Sequence, residues 1–305
     1  MNRSRHSLLG WQYAEMTDLV HPSPARLADR MPPHAFFLVS ALFHYLGPSF
    51  AVLPFAHVGV LAVAWLRIAS AAAVFAIWRR PWRSVVRGDS RSRMLVVALG
   101  TTLALMNSVF YLAIDRMPLA TVAAIEFVPT IAIALIGVRS VRNIVALVVA
   151  VAGAFLLIGF QWSGDKLGVL LAIANAALFA VYIVIGHAIS RAGGASGIDR
   201  LGLAMLVALV VAMPIGAADV LPVLSRPTLI LAGIGVGLSS SVIPYVCDQL
   251  AMARLPRATF ALMLTLLPAT ATIVGAVVLS QMPTLAEITG ILLVAVGVYL
   301  HKPRQ

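Results

Sequence analysis

A short motif occurs twice in this chain, once in each half. Arg116–Thr121 has the sequence RMPLAT and Arg254–Thr259 has the sequence RLPRAT, 138 residues later. Each copy follows an apolar segment of helix length and opens the next one, which carries Pro129 or Pro268. The chain is therefore predicted to be a five-helix unit written twice. Because five is odd, the second copy must enter a membrane in the opposite sense, and inverted repeats are typical of secondary transporters.

The fold class predicted is an all-α membrane protein with ten transmembrane helices in two inverted five-helix repeats. Only 11% of residues are charged, against about 25% in soluble domains. The apolar runs approach the roughly 20 residues that a membrane crossing needs, and they lack the alternation of barrel strands. We expect a cytoplasmic tail at 1–34 and repeats at 35–160 and 167–301. The runs lie near 35–56, 58–78, 94–113, 119–137, 143–160, 167–189, 201–218, 228–247, 258–280 and 285–300.

The Lys and Arg residues of the chain are concentrated in alternate loops, which indicates how the chain is oriented in the membrane. With the N-terminus inside, 18 of the 22 Lys and Arg residues fall in cytoplasmic segments. The outer loops hold three, Arg116, Lys166 and Arg226, and Arg67 lies within a span. This bias predicts both termini in the cytoplasm. It also favours anionic lipid headgroups over nucleic acid as the partner of the basic charge.

Several stretches resemble the threonine/homoserine exporter group of the drug/metabolite transporter superfamily, which has paired EamA domains. In the first half these are Met106–Ile114, Met117–Leu119 and Ala124–Phe127. In the second half they are Ser241–Tyr245, Asp248, Ala251, Arg254–Phe260 and Leu267–Ala269. The resemblance covers about 38–301. It implies ten helices, an inner-membrane location and export of small polar metabolites such as amino acids.

The chain departs from this family pattern at two places. Ser280–Gln281 stands where members usually carry a Gly-Glu pair, so a charge is missing there. The first helix carries His44–Ser49 where the exporter has a polar patch rich in Gln and Gly. Because first-helix side chains are expected to line the pathway, this difference bears on the substrate.

Arg67 and Glu126 are the strong charges of their spans. Each costs about 2.5–3.5 kcal/mol near the centre of a membrane helix, so each is expected to have a partner. Counted from the outer ends, their depths are comparable, about 13 and 10 Å. We predict that the two interact. The pair is either a structural ion pair, or a gate, a coupling site or a binding site for a zwitterionic substrate.

Asn107, Tyr111 and Tyr245 offer hydrogen-bonding groups without the cost of a charge. The repeat offset makes Asn107 equivalent to Tyr245, so the two are expected at equivalent positions on either side of a pseudo-two-fold axis. Transporters bind substrate between such repeats, at the midplane of the bilayer. An interhelical hydrogen bond is the alternative. Prolines inside helices free the carbonyl four residues earlier for use by a cavity, or simply kink the helix. The helix-break or hinge candidates are Pro129, Pro244 and Pro268.

His44, His187 and Asp248 complete the polar set. His44 lies about ten residues into the first span, where a neutral imidazole could accept a proton. His187, at the cytoplasmic end of its helix, is interpreted as a packing residue. Asp248 is predicted at the cytoplasmic end of the eighth apolar run. There it either attracts amino groups to the mouth of the pathway or pairs with Arg254 at the surface.

Catalytic and cofactor-binding patterns find little support in this sequence. No His, Cys or acidic run has metal-ligand spacing, and no nucleophile elbow or phosphate loop occurs. Gly233, Gly235 and Gly237 lie within an apolar span, where small residues favour close helix packing. The function predicted is proton-coupled export of a small-molecule substrate, without cofactor or metal. An uncoupled permease, an exporter of drugs or nucleosides, a membrane-embedded enzyme and a homodimeric assembly stay open.

The inverted repeat makes a definite prediction for the middle of the chain. A reporter fused after residue 165 should be found outside the cell, and one fused after residue 195 should be found inside. Measuring the activity of a periplasmic and of a cytoplasmic reporter at both positions tests this. Detection of both fusions on the same side would contradict the five-plus-five arrangement.

Overall fold

The described residues form an almost wholly helical chain. A computed structural model describes residues 31–55, 58–85, 89–117, 122, 125–126, 129–131, 133–134, 140–158, 165–191, 194–278 and 283–301. The N-terminal tail to residue 30, most of the predicted fourth run, and Ser280–Gln281 lie outside the described residues.

Ten helices are labelled here in chain order, and a single turn, Trp82–Val85, lies between the second and third. The first five are α1 Pro33–Phe55, α2 Val60–Arg79, α3 Ser90–Ile114, α4 Val141–Ile158 and α5 Lys166–Ser190. The others are α6 Gly194–Leu224, α7 Pro227–Met252, α8 Arg257–Met263, α9 Leu266–Val278 and α10 Leu285–Leu300. Between α3 and α4, residues such as 125–126 and 129–131 are helical as well.

Five described helices are long and apolar enough to cross a membrane: α2, α3, α5, the Ser196–Gly216 part of α6, and α7. The protein is thus a multi-pass membrane protein. Shorter apolar helices occur at Pro33–His44, Val141–Leu156 and Ile288–Leu300. Every predicted apolar run coincides with helical residues in the described part of the chain. The count of ten crossings remains a prediction, because five helices among the described residues meet the length and apolarity needed.

Two of the predicted boundaries are wrong. The run predicted at 201–218 is the much longer helix α6, which continues through the charged residues at its start. Charged residues limit the apolar part of a helix but do not end the helix itself, and here Asp199 pairs with Arg79 of α2 at 2.6 Å. The run predicted at 258–280 is divided into α8 and α9, two residues apart, just before Pro268.

Two helix starts are fixed by aspartate caps. The Asp89 carboxylate accepts from the backbone N–H of Ser92 at the start of α3. Asp165 accepts from the N–H groups of Leu167 and Gly168 at the start of α5. The Gly168 N–H, more than any other partner, holds the pKa of Asp165 below its ordinary value, as expected for a carboxylate at a helix N-terminus.

The repeated motif ends its helix in the same way in both halves. After α3, the N–H groups of Arg116 and Met117 both donate to the Ala113 carbonyl, at 3.1 and 2.9 Å. After α7, those of Arg254 and Leu255 both donate to the Ala251 carbonyl, at 3.1 and 2.8 Å. All three positions correspond at the repeat offset. At these two helix ends, the repeated motif therefore makes the same backbone hydrogen bonds.

The contacts between helices also match when the two halves of the chain are exchanged. If α1, α2, α3 and α4 correspond to α5, α6, α7 and α10, then the α3–α5 contact corresponds to the α7–α1 contact. The α3–α6 contact likewise corresponds to the α7–α2 contact. The α2–α6 and α4–α10 contacts each join a helix to its own counterpart. Exchanging the halves reproduces the main contacts, as a two-fold axis would.

Glycines let several of these helices approach closely. A Cβ on Gly153 of α4 would collide with the Gly290 carbonyl of α10. A Cβ on Gly237 of α7 would collide with Ser70 Oγ of α2 and come within 3.0 Å of the Arg67 carbonyl. The predicted packing role is thus confirmed for Gly237 and for Gly233, where a Cβ would lie 3.2 Å from Leu66 of α2. The α2–α7 approach matters most, because Arg67 is in this contact.

Two glycines of α7 provide a matched test of this packing. Gly237→Ala should destabilise the protein by about 1–3 kcal/mol, because the helices must separate or strain. Gly235→Ala should be neutral or stabilise by about 1 kcal/mol, because a Cβ there meets nothing within 4 Å and alanine favours helix. Thermal midpoints in detergent would measure both changes. Equal midpoints for the two variants would contradict the close α2–α7 contact.

Candidate functional site

The predicted polar residues converge in the interior of the helix bundle. Arg67 on α2 acts electrostatically on His44 of α1, Glu126 and Tyr245 of α7. Asn107 of α3 contacts the Tyr245 hydroxyl directly. Asp248, one helical turn after Tyr245, belongs to the same electrostatic neighbourhood. Six residues selected from the sequence as site candidates thus form one polar cluster, whose members are His44, Arg67, Asn107, Glu126, Tyr245 and Asp248.

Arg67 binds to α7 at a π-helical turn that interrupts the regular helix. Its Nε donates to Ser241 Oγ at 2.7 Å, and its Nη2 donates to the Ser240 carbonyl at 2.5 Å. Pro244, four residues after Ser240, has no N–H to give that carbonyl, and Leu238–Val242 forms a π-helical turn just before it. The prediction that Pro244 frees a carbonyl is confirmed. Such turns are frequent at functional sites.

Arg67 and Glu126 are near each other but do not form an ion pair. In the described part of the chain, the ion pairs within 4 Å are Arg79–Asp199 and Arg116–Asp165. The predicted direct contact is therefore wrong for this conformation, because the guanidinium is used by Ser240 and Ser241. Glu126 instead lies beside the side chain of Asn175 on α5. The Asn175 side chain is fully buried.

Asn107 and Tyr245 make contact across the repeat. Asn107 Nδ2 donates to Leu103 O at 2.8 Å and to the Tyr245 hydroxyl at 3.3 Å. Each residue lies seven positions before the C-terminal end of its helix, about 10 Å along the axis. Contact between equivalent positions is expected for residues close to a two-fold axis. The predicted interhelical hydrogen bond is confirmed.

Tyr111 does not join this cluster. It packs with Val63, Val220 and other apolar residues in a separate core, with the Phe110 ring edge-on at 5.6 Å. The reason is its place on α3, one turn beyond Asn107 and farther along the helix. It is therefore not brought to the other predicted site residues.

Asp248 is buried rather than at the surface. Its carboxylate accepts from Ser40 Oγ of α1 at 2.6 Å and from the Tyr182 hydroxyl of α5 at 3.1 Å. The predicted alternative of a surface pair with Arg254 is wrong. Arg254 instead donates to the Met31 carbonyl and lies over the Phe36 ring, because the start of α1 covers this end of α7.

The two histidines behave differently. His44 is partly exposed on α1 within range of the Arg67 charge, so it borders the cluster. His187 is buried, its Nδ1 lies 3.0 Å from the Ile183 carbonyl, and its ring packs edge-on against Phe260. The interpretation of His187 as a packing residue is confirmed.

The other two predicted hinges have different outcomes. The helix is interrupted between Met263 and Leu266, so a break just before Pro268 is confirmed. Pro129 lies in helical backbone and is partly exposed. Whether that helix bends there stays a prediction.

Sequence reasoning missed three residues that complete the cluster: Ser40, Asn175 and Tyr182. A usable signal existed, because each is a polar residue within a strongly apolar helix that has few others. Gln249, next to Asp248, is also buried and its side chain has no hydrogen bond among the described residues. No set of three His, Cys, Asp or Glu side chains in the described ranges is arranged to hold a metal ion.

Comparison with known proteins gives concordant results. The EamA-like transporter family model matches residues 166–301. The threonine/homoserine exporter RhtA of Escherichia coli K12 is 32% identical over 268 residues, covering 87% of this chain and 88% of the relative. RhtA of Salmonella typhimurium LT2 is 32% identical over 252 residues, 82% of each chain. A solved crystal structure superposes with a TM-score of 0.66 at 20% identity, covering 88% of this chain and 97% of that one, and shows a shared fold.

The hydrogen bonds of Arg67 can be tested by double-mutant cycles. Arg67→Gln and Ser241→Ala should couple by about 1.5–3 kcal/mol, because a charged donor loses its buried acceptor. The coupling between Arg67→Gln and Glu126→Gln should be smaller, because no direct bond joins these residues. Ser239→Ala is the matched control, since Ser239 bonds only to carbonyls of its own helix. Both coupling energies would be measured from unfolding in detergent. A larger coupling of Arg67 to Glu126 than to Ser241 would support the direct ion pair predicted from the sequence.

Proposed function

Because the chain belongs to the EamA-like transporter family, we propose that it exports small polar metabolites by alternating access. The substrates proposed are amino acids such as threonine and homoserine, which the names of its relatives specify. The protein is proposed to reside in the inner membrane with both termini in the cytoplasm. Ten helices in two inverted five-helix repeats, 35–160 and 167–301, would supply the two alternating arrangements.

The observation that carries the substrate class is the separation of Arg67 from Glu126. The buried Arg67 guanidinium and the partly buried Glu126 carboxyl lie within electrostatic range without forming an ion pair, although direct pairing would offset part of the cost of desolvating them. An amino acid carries both complementary charges. In this proposal its carboxylate binds the Arg67 guanidinium and its ammonium group binds Glu126, so the substrate bridges the two residues.

The neighbouring groups suit a polar side chain. Asn175 offers a buried side-chain amide next to Glu126, with two N–H donors and an acceptor oxygen. A substrate hydroxyl, as in threonine or homoserine, would bind such a group at low cost. An aliphatic amino acid without a hydroxyl would make no such hydrogen bond and bind less well.

Asp248 is the proposed proton-coupling residue. It is a buried carboxyl group held by two neutral hydroxyls, Ser40 and Tyr182, which come from two other helices. Neither hydroxyl supplies a compensating positive charge, so the carboxyl can gain or lose a proton within the bundle. Because its partners lie on α1 and α5, protonation would change how α7 is held to both. This would link a proton to the movement of the helices.

The proposal predicts transport that depends on a proton gradient. Proteoliposomes with purified protein should accumulate labelled threonine and homoserine only when a proton gradient is imposed. Glu126→Gln should abolish both accumulation and exchange, because the ammonium site is lost. Asp248→Asn should abolish accumulation but retain exchange of labelled for unlabelled substrate, because a neutral residue still permits the substrate-loaded transition.

Asp115→Asn is the matched control, because Asp115 is an exposed aspartate at the end of α3; it should transport as the unmodified protein does. Accumulation at the same rate without a gradient would favour an uncoupled permease. Failure to transport any of a broad amino-acid panel, with transport of lipophilic drugs or nucleosides instead, would contradict the substrate class.

A further inference from the structure

A cavity of about 620 Å³ opens between α2, α3 and α6, away from the polar cluster described above. It lies where α2 ends and where α3 and α6 begin. All three ends belong to segments that the charge bias assigns to the cytoplasmic side. The exposed rings of Trp78 and Trp82 lie at the same end of α2, which is the depth of the lipid headgroups for such residues.

Arginines dominate the wall of this cavity. Five of them line it: Arg79, Arg80, Arg83, Arg93 and Arg200. A single carboxylate, that of Asp199, lines it as well and pairs with Arg79 at 2.6 Å. In the described ranges, the other four arginines have no carboxylate within 4 Å. The cavity therefore has an excess of positive charge and of guanidinium donors, which bind phosphate oxygens well.

The other end of the cavity is apolar. Val96 and Val97 of α3 and Leu203 and Val207 of α6 continue the lining beyond the arginines. On α6 the lining runs from Ser196 to Val207, about 16 Å of helix. The cavity is thus a groove that is basic at the headgroup level and apolar towards the membrane interior.

Close helix packing ends the groove. A Cβ on Gly100 of α3 would lie 2.5 Å from the Ala204 carbonyl and 2.6 Å from Val207 Cβ of α6. The two helices therefore touch at this level. The contact lies beside Val207, at the apolar end of the groove.

We propose that this groove binds an anionic phospholipid, with its phosphate among the arginines and the upper part of one acyl chain along Val96, Val97 and Leu203. A free phosphate would use the basic end alone and leave the apolar end without a ligand. A zwitterionic lipid would fill the apolar end but bring its own positive charge to the arginines. An anionic lipid matches both ends.

Two pairs of substitutions separate this site from the general positive charge of the cytoplasmic face. Arg93→Gln with Arg200→Gln removes two lining charges. Arg91→Gln with Arg191→Gln removes two charges close to them in sequence that do not line the cavity, and both residues are exposed. Since each pair removes two cytoplasmic charges, effects on topology and on bulk electrostatics are matched.

The measurement is the binding of dioctanoyl phosphatidylglycerol to the purified protein in a neutral detergent. The increase in the thermal midpoint of the protein with lipid concentration reports this binding. Saturable binding is expected, weakened about tenfold or more by the Arg93/Arg200 pair and unchanged by the Arg91/Arg191 pair. Equal weakening by both pairs would overturn the site in favour of unspecific attraction. Equal binding of dioctanoyl phosphatidylcholine would overturn the role of charge, and saturable binding of inorganic phosphate at similar concentration would identify a phosphate site instead of a lipid site.

Discussion

The bond between the Arg67 guanidinium and the Ser240 carbonyl is the interaction on which the interior of the bundle depends. It places a permanent positive charge among helices that are otherwise apolar. That charge is tolerated because α7 offers the Ser240 carbonyl, which cannot form the usual helical bond to the residue four positions later, Pro244. In a regular helix this carbonyl would already accept that bond. The proline and the arginine are thus two parts of one feature.

The approach of α2 to α7 is the condition for this bond. The Ser70 hydroxyl, one turn after Arg67, donates to the Leu66 carbonyl of its own helix at 2.6 Å and lies 3.2 Å from the Gly233 carbonyl of α7. Gly233 and Gly237 leave room for Leu66 and Ser70. The glycines therefore act on the site indirectly, by setting the distance at which the arginine can reach Ser240 and Ser241. Packing and polar chemistry are inseparable at this contact.

Much of this arrangement could be predicted from the sequence, and the exceptions have a common cause. Run length and composition located the helices, and the repeat offset predicted that Asn107 and Tyr245 are equivalent. The helix face that each residue occupies depends on how helices rotate against one another, which composition does not encode. For this reason the sequence predicts a contact of Arg67 with Glu126 rather than with Ser240 and Ser241. The surface pair with Arg254, one of the two alternatives for Asp248, is wrong for a related reason, since the covering of α7 by α1 is a tertiary contact.

The polar residues are distributed unequally over a scaffold that repeats. The helix ends at Ala113 and Ala251 have matching hydrogen bonds, whereas the positions that correspond to Arg67, Glu126 and Asp248 are Met205, Leu264 and Phe110. In the proposed alternating-access cycle, exchanging the roles of the two halves would keep the main helix contacts equivalent. Each of these three charges lacks a counterpart in the other half, so the two arrangements would differ chemically. A ligand or a proton at those charges would then favour one arrangement over the other.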